Sequence, residues 1–264
     1  MKRASYPPIP LADIKRFLEI VRRLRAECPW DREQTHQSIR HSLIEETYEV
    51  VEALDTNNLE ELKKELGDLL LHIAMHATIA EQEKEFTLKD VLREITEKLI
   101  RRHPHVFGST RAQSAEDVKQ HWEQLKMNEG RASLLDGIPK HLPALQRALR
   151  VQERAAQVGF DWKHEDDVWE KVREEAEELR RAVKHKKQRK AEEEFGDYLF
   201  SLVNYARFIG VEPETALRRT IEKFAERFRY IERELTRQGK SVHRSTLEEM
   251  DALWNKAKKR KSPK

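Results

Sequence analysis

The sequence predicts an all-α chain built as a tandem of two helical-bundle halves, and three observations carry that expectation. Charged residues make up 38% of the chain while Gly and Pro number only 8 and 9, the profile of long solvated helices rather than turn-rich β structure. Apolar residues recur three and four positions apart along most of the length, the spacing of one helix face. Acidic motifs of the first half return, in order and at fixed spacing, in the second.

In chain order, the periodicity predicts helices over 11–26, 39–54, 59–82, 88–100 and 115–127. Residues 128–141 then gather Gly130, Gly137 and Pro139, the densest cluster of helix breakers, and are expected to form a linker. Helical spacing resumes over 142–157, 165–185, 189–209, 213–237 and 246–258. The expected domains are therefore 1–127 and 142–264, each long enough to bury a core without disulfides.

Composition excludes several classes. Net charge is only +3, because 51 basic residues face 48 acidic ones, so a general nucleic-acid footprint is not indicated despite a pI of 8.8. The single cysteine, Cys28, excludes an internal disulfide and a multi-Cys zinc site, and it suits a reducing compartment. Residues 1–10 are Pro-rich without an apolar h-region, which is not a signal peptide, so cytoplasm is the expected location. The most apolar run, 69–80, contains His72 and His76 and is too short to cross a bilayer, so no membrane partner is expected.

The repeat carries the chemistry. Glu46, Glu49, Glu65 and Asp68 reappear 129 positions later as Glu175, Glu178, Glu194 and Asp197. Acids three apart share a helix face, and two antiparallel helices bring two such pairs together. Four carboxylates packed between helices repel and are costly to desolvate unless a hard divalent cation neutralises them. Oxygen ligands without Cys or His suit Mg²⁺, with Mn²⁺ as a substitute, and Mg²⁺ characteristically recruits phosphates. An isolated acidic pair in so charged a chain is ordinarily a solvated face, but a solvated face has no need to keep identity and spacing in two copies. Leu69 to Leu71 and Tyr198 to Phe200 are expected to pack beside the acids. Gly67 and Gly196, each within a helical pattern, suggest close approach of a backbone or ligand.

Cations recur as well. Lys98 and Arg102 match Lys223 and Arg227, each pair four apart on a helix, suited to grip a triphosphate from one side. Trp122 and Lys126 match Trp254 and Lys258, offering a ring for a base and a cation for phosphate, although such a Trp equally serves to dock a terminal helix. Cys28-Pro29-Trp30-Asp31 and Gly159-Phe160-Asp161-Trp162 precede the first acidic helix of each half, where they could shape a base pocket, although packing in the core is the expected role of their aromatics.

Taken together, the E-E-x-x-E and E-x-x-D signatures, C-P-W-D at 28–31, R-R-H-P-H-V-F at 101–107 and G-F-D-W at 159–162 resemble the MazG family of the all-α NTP pyrophosphohydrolase superfamily. The resemblance covers nearly the whole chain. It implies a tandem of MazG domains, a homodimer, and hydrolysis of standard and often modified (d)NTPs to NMP and pyrophosphate. It implies that the two sets of four acids bind metal, and that Lys171, Lys223, Arg227, Trp254 and Lys258 contact nucleotide. It further implies that the C-terminal copy is the catalytic one. The first copy has Ser42 where the second has Lys171, which sets the two apart.

In the mechanism this suggests, the metal-bearing acids position phosphate and water, with Glu175 and Glu178 at the centre. Lys223 and Arg227 clamp the pyrophosphate end, and Glu174 or one of the four acids takes the water's proton. Two rival classes remain open to test: a nucleotide-binding sensor without turnover, and a nucleic-acid binder using the basic stretches 184–190 and 256–264, which are ordinarily solvated helix ends. His103-Pro104-His105 lacks a third zinc ligand and Cys28 lacks an identifiable His partner, so neither founds an enzyme.

Overall fold

The structure is a computed structural model that describes residues 7–109, 114, 117, 118 and 133–259, and it divides into two compact units, Met1–Val118 and Lys119–Lys264. Among the described residues there is no strand, and no helix is long and apolar enough to cross a membrane.

The first unit contains α1 (Leu11–Glu27), α2 (Pro29–Glu33), α3 (Arg40–Asp55), α4 (Leu59–Glu83), α5 (Leu88–Arg102) and α6 (Pro104–Phe107). The α3–α4 pair is its frame, with α1 and α5 packed on α4. The elbow between α3 and α4 is closed by main chain: Asn57 takes a left-handed φ of 54°, and Asn58 N–H donates to Ala53 O at 2.9 Å. The Asn58 side chain then caps α4, accepting from Glu61 N–H at 3.2 Å. Val21, Ile39, Ala74, Met75 and Ile79 form the core, with Phe17, Leu18 and Leu71 packed against it. Each fully buried aliphatic side chain there contributes about 1.5–3 kcal/mol. Thr87 and Asp90 close a reciprocal capping box at the start of α5.

The second unit contains α7 (Ala144–Ala156), α8 (Glu165–Lys184), α9 (Gln188–Phe208), α10 (Pro213–Arg237), a 3₁₀ turn (Val242–Arg244) and α11 (Leu247–Lys259). Its frame is the α8–α9 pair, whose elbow repeats the first: Lys186 has φ 52°, and Lys187 N–H donates to Ala182 O at 3.2 Å. Each of these residues lies 129 positions after its counterpart. Ile231, Leu235 and Leu253 form the α10–α11 core, lined by Phe228, Val242, Met250 and Trp254.

Buried arginines brace both units at equivalent positions. Arg25 donates to the carbonyls of Asp31 and Gln34 and to Gln82 Oε1, tying α1 and α2 to α4. Arg154, its counterpart, donates to the carbonyls of Leu134 at 2.7 Å and Asp136 at 3.1 Å, which fastens part of the expected linker to α7. A second repeated joint has changed chemistry. His36 and His76 stack with Nδ1 atoms 2.7 Å apart in the first unit, whereas in the second Tyr205 Oη donates to Glu165 Oε1 at 3.1 Å.

Observed helices match the expected ones to within about two residues at either end, within the usual fraying of helix boundaries. The expected 115–127 helix lies outside the described residues except for 117 and 118, which are helical. The short α2, α6 and 3₁₀ turn were not anticipated, because one or two turns hold too few apolar positions to show a period.

Three packing expectations need correction. Trp30, Phe160 and Trp162 are 66%, 83% and 45% exposed, so these rings are not core: Trp30 sits on the short α2 and Phe160 and Trp162 on the connection between α7 and α8, with their side chains left to solvent. Leu70, Leu199 and Phe200 are also exposed, leaving an open apolar face beside the acids. Space around Gly67 and Gly196 is open where a Cβ would stand, so among the described residues no neighbouring backbone approaches either one.

Candidate metal centre

The two helix pairs bring their acids together as the repeat suggested, three at a time. Oxygens of Glu46 and Glu49 on α3 and Glu65 on α4 all lie within 4.8 Å of one another, and so do those of Glu175, Glu178 and Glu194 on α8 and α9. The fourth acid of each set, Asp68 or Asp197, is exposed and lies outside these groups, although the Asp68 charge is felt at Glu46. Elbow geometry explains the convergence. With α3 and α4 folded back by the Asn57 turn, the face carrying positions 46 and 49 meets the face carrying position 65, and the same holds around Lys186.

Burial makes these carboxylates unusual. Glu65, Glu175 and Glu194 are 6%, 7% and 3% exposed. In the first unit, burial together with hydrogen bonds to the Glu61 and Glu49 carboxyls pushes Glu65 up to about 7. Burial, followed by the charges of Asp68 and Glu49, also raises Glu46 above the usual carboxylate range, partly offset by His72.

In the second unit the same acids meet cations. Lys171 Nζ lies 2.8 Å from Glu175 and 3.2 Å from Glu174, Arg181 lies 3.0 Å from Glu178, and Lys190 lies 2.5 Å from Glu194. The hydrogen bond from Lys171 to Glu175 and that from Lys190 to Glu194 hold both ammonium groups above their ordinary range. The roles of Arg181 and Lys190 were missed from sequence, where 184–190 looked like a solvated run. The signal was the i, i+3 step from Glu178 to Arg181 and the i, i+4 step from Lys190 to Glu194.

A divalent ion suits either trio. A point equidistant from three oxygens 4.8 Å apart lies about 2.8 Å from each, against about 2.0–2.1 Å for Mg²⁺–O, a gap that small rotations of the carboxylates close. The donor set is entirely oxygen, as hard cations require.

Other expected site residues fall in separate places. The Arg227 guanidinium stands 5.4 Å from the Trp254 ring centre and Lys258 Nζ 5.9 Å from it, while Phe224 meets the ring at 5.0 Å, forming an aromatic and cationic cluster on α10 and α11. Lys223 lies exposed on α10. Trp162, Lys171 and Glu174 line a hollow of about 520 Å³ on the outer side of α8. On the first unit, Lys98 borders an apolar groove of about 1340 Å³ between α1, α4 and α5, and Arg102 ends α5 half-buried. Trp122 and Lys126 lie outside the described residues.

Fold and site thus define a tandem all-α protein whose halves each fold one elbowed helix pair around a carboxylate cage. The model of the MazG nucleotide pyrophosphohydrolase domain matches this chain twice, at residues 34–107 and 164–231, once over each cage. The chain is 47% identical over 247 residues to the nucleoside triphosphate pyrophosphohydrolase/pyrophosphatase MazG of Thermotoga maritima, covering 92% of this chain and 94% of that protein. It is 43% identical over 257 residues to the nucleoside triphosphate pyrophosphohydrolase of Escherichia coli strain K12, covering 93% and 97%. The chain belongs to the MazG nucleotide pyrophosphohydrolase family.

Proposed function

We propose that this chain is an enzyme, a Mg²⁺-dependent nucleoside triphosphate pyrophosphohydrolase that converts an NTP and water to an NMP and pyrophosphate, with the C-terminal copy carrying the reaction. The observation that carries the reading is the convergence of buried Glu175 and Glu194 with Glu178, bordered by Lys171 and Lys190. The two relatives named for the same activity support it.

Glu175, Glu178 and Glu194 would hold the metal, with Asp197 one helical turn beyond Glu194 as a further ligand. A Mg²⁺ held there would supply the positive charge that phosphate oxygens and an attacking water need. Lys171 grips the phosphate nearest α8, and Lys223 and Arg227 take the pyrophosphate end, so charge gathering on the leaving group meets fixed cations. Glu174 shares Lys171 with Glu175 but stands outside the trio, and we assign it to accept the proton of the attacking water. The base lies against an aromatic ring, with Trp254 and Trp162 the candidates.

Substrates on this reading are standard or modified (d)NTPs, and Mn²⁺ replaces Mg²⁺. A homodimer is part of the proposal: Leu66 and Leu70 in one unit, and Phe195 and Leu199 at the matching positions of the other, are exposed large apolar side chains that a second copy would cover. The lone free Cys28 supports a cytoplasmic setting. Product analysis with a panel of (d)NTPs and Mg²⁺ tests the activity. Stoichiometric NMP and pyrophosphate are expected, whereas saturable nucleotide binding without pyrophosphate release would convict the sensor reading instead.

A further inference from the structure

We infer that the two cages load divalent cations in a fixed order: the N-terminal trio takes its ion first and without nucleotide, and the C-terminal trio fills together with a triphosphate. This rests on the metal reading above and concerns what surrounds each trio rather than the trio itself.

The two helix pairs align without a gap at a shift of 129 from Arg40 and Trp169 through Asp68 and Asp197, so every neighbour of one cage has a definite counterpart. The C-terminal cage carries its own counter-ions. Lys171 lies 2.8 Å from Glu175, Arg181 lies 3.0 Å from Glu178, and Lys190 lies 2.5 Å from Glu194. At the three matching positions the N-terminal copy has Ser42, Glu52 and Glu61, differences of one, two and two units of charge, all toward negative.

Glu65 supplies a second, independent sign that the N-terminal cage is built for a cation. It is 6% exposed, and its carboxylate stands within 4.8 Å of those of Glu46 and Glu49. A buried acid ringed by acids is relieved only by a proton or a cation. Its counterpart Glu194 is buried as deeply but is neutralised by Lys190.

The consequence is a difference in competition. A divalent ion approaching Glu46, Glu49 and Glu65 has no cation to displace at the three variable positions, where Ser42 is neutral, Glu52 is acidic, and Glu61 is acidic but paired with Lys64 at 2.9 Å. One approaching Glu175, Glu178 and Glu194 must displace two ammonium groups and a guanidinium. A triphosphate brings the negative charge that draws those cations away, so ion and nucleotide enter the C-terminal cage as one unit. The same charges make the N-terminal cage repel a triphosphate, leaving it a resident-metal site that steadies its helix pair.

Titration of Mn²⁺ alone into the full chain, with free Mn²⁺ followed by electron paramagnetic resonance, tests the order. Two affinity classes are expected, separated by more than about tenfold. Glu49→Gln should remove the tight class and Glu178→Gln the weak one. Arg181→Glu combined with Lys190→Glu should draw the weak class toward the tight one, and Glu61→Lys, at a surface position, should weaken the tight class with helicity by circular dichroism unchanged. A single affinity for both cages, or loss of the tight class in Glu178→Gln, would overturn the order while leaving metal binding intact. Absence of Mn²⁺ binding at both cages would overturn the order and the metal reading together.

Discussion

Glu194→Gln isolates the charge of a ligand from its shape. The side chain is 3% exposed, and the amide keeps its volume and an oxygen for Lys190 to donate to. What disappears is one unit of charge about 2.8 Å from the point equidistant from the three carboxylates. Even with the full screening of water, that loss costs a divalent ion about 3 kcal/mol, somewhat over a hundredfold in affinity. The folded chain has little reason to suffer, because the Lys190 side chain is 56% exposed and can resolvate. Pyrophosphate release measured across a Mg²⁺ series should therefore show the half-saturating concentration rising by about a hundredfold or more, with a thermal midpoint within a few degrees of the parent. A Mg²⁺ requirement that moved less than about threefold would refute the assignment of Glu194 as a ligand. A collapse of the helical signal in step with activity would show that the residue serves the fold instead.

The same geometry leads to further outcomes. In the first unit Glu65 sits at about 7, above its ordinary value, so the stability it lends is full below about 4.5 and is lost as pH rises through about 7. In chelator, Glu65→Gln should accordingly melt near the parent at pH 4.5 and above it at pH 8, and the advantage should vanish on adding Mg²⁺; a pH-independent difference would contradict this. Arg25→Met removes the donor to two backbone carbonyls and Gln82, and should cost about 3–5 kcal/mol in denaturant unfolding of the first unit. Leu235→Ala, at 1% exposure in the α10–α11 core, should cost about 2–5 kcal/mol in the second. Trp254→Ala dismantles the stack that Arg227 and Lys258 share, and should raise KM for the NTP more than it lowers kcat; the reverse pattern would make Trp254 a docking residue for α11.

Much of this was legible because helices advertise themselves locally. Period-3.6 patterning places α3, α4, α8 and α9 within a residue or two, and the 129-residue shift singles out the acids among many solvated ones. Deciding which acids meet depends on the elbows, and an elbow is a main-chain event: Lys186 is not a residue type that announces a left-handed φ, so the turn it makes is not legible in the sequence. The exposure of Asp68 and Asp197 could not be read from spacing, which places them on the same face as Glu65 and Glu194 without saying how far that face is covered. Counter-ions such as Lys190 were hidden by abundance, since in a chain so rich in charge an i, i+4 pair is common and only burial of one partner makes it consequential. The exposed Trp30, Phe160 and Trp162 were misjudged because hydrophobicity describes what a ring prefers and not whether a short connecting segment can reach the interior.

The two elbows have a bearing on how such a protein can change over time. Each is locked by the same donor and acceptor of the peptide backbone, and the residue at its crest differs, Asn in one and Lys in the other. The span between facing carboxylates is thus inherited from the main chain and insulated from mutation of the crest itself. Charges around a cage can drift, as they have between the halves, and the cage keeps its width while its chemistry is retuned.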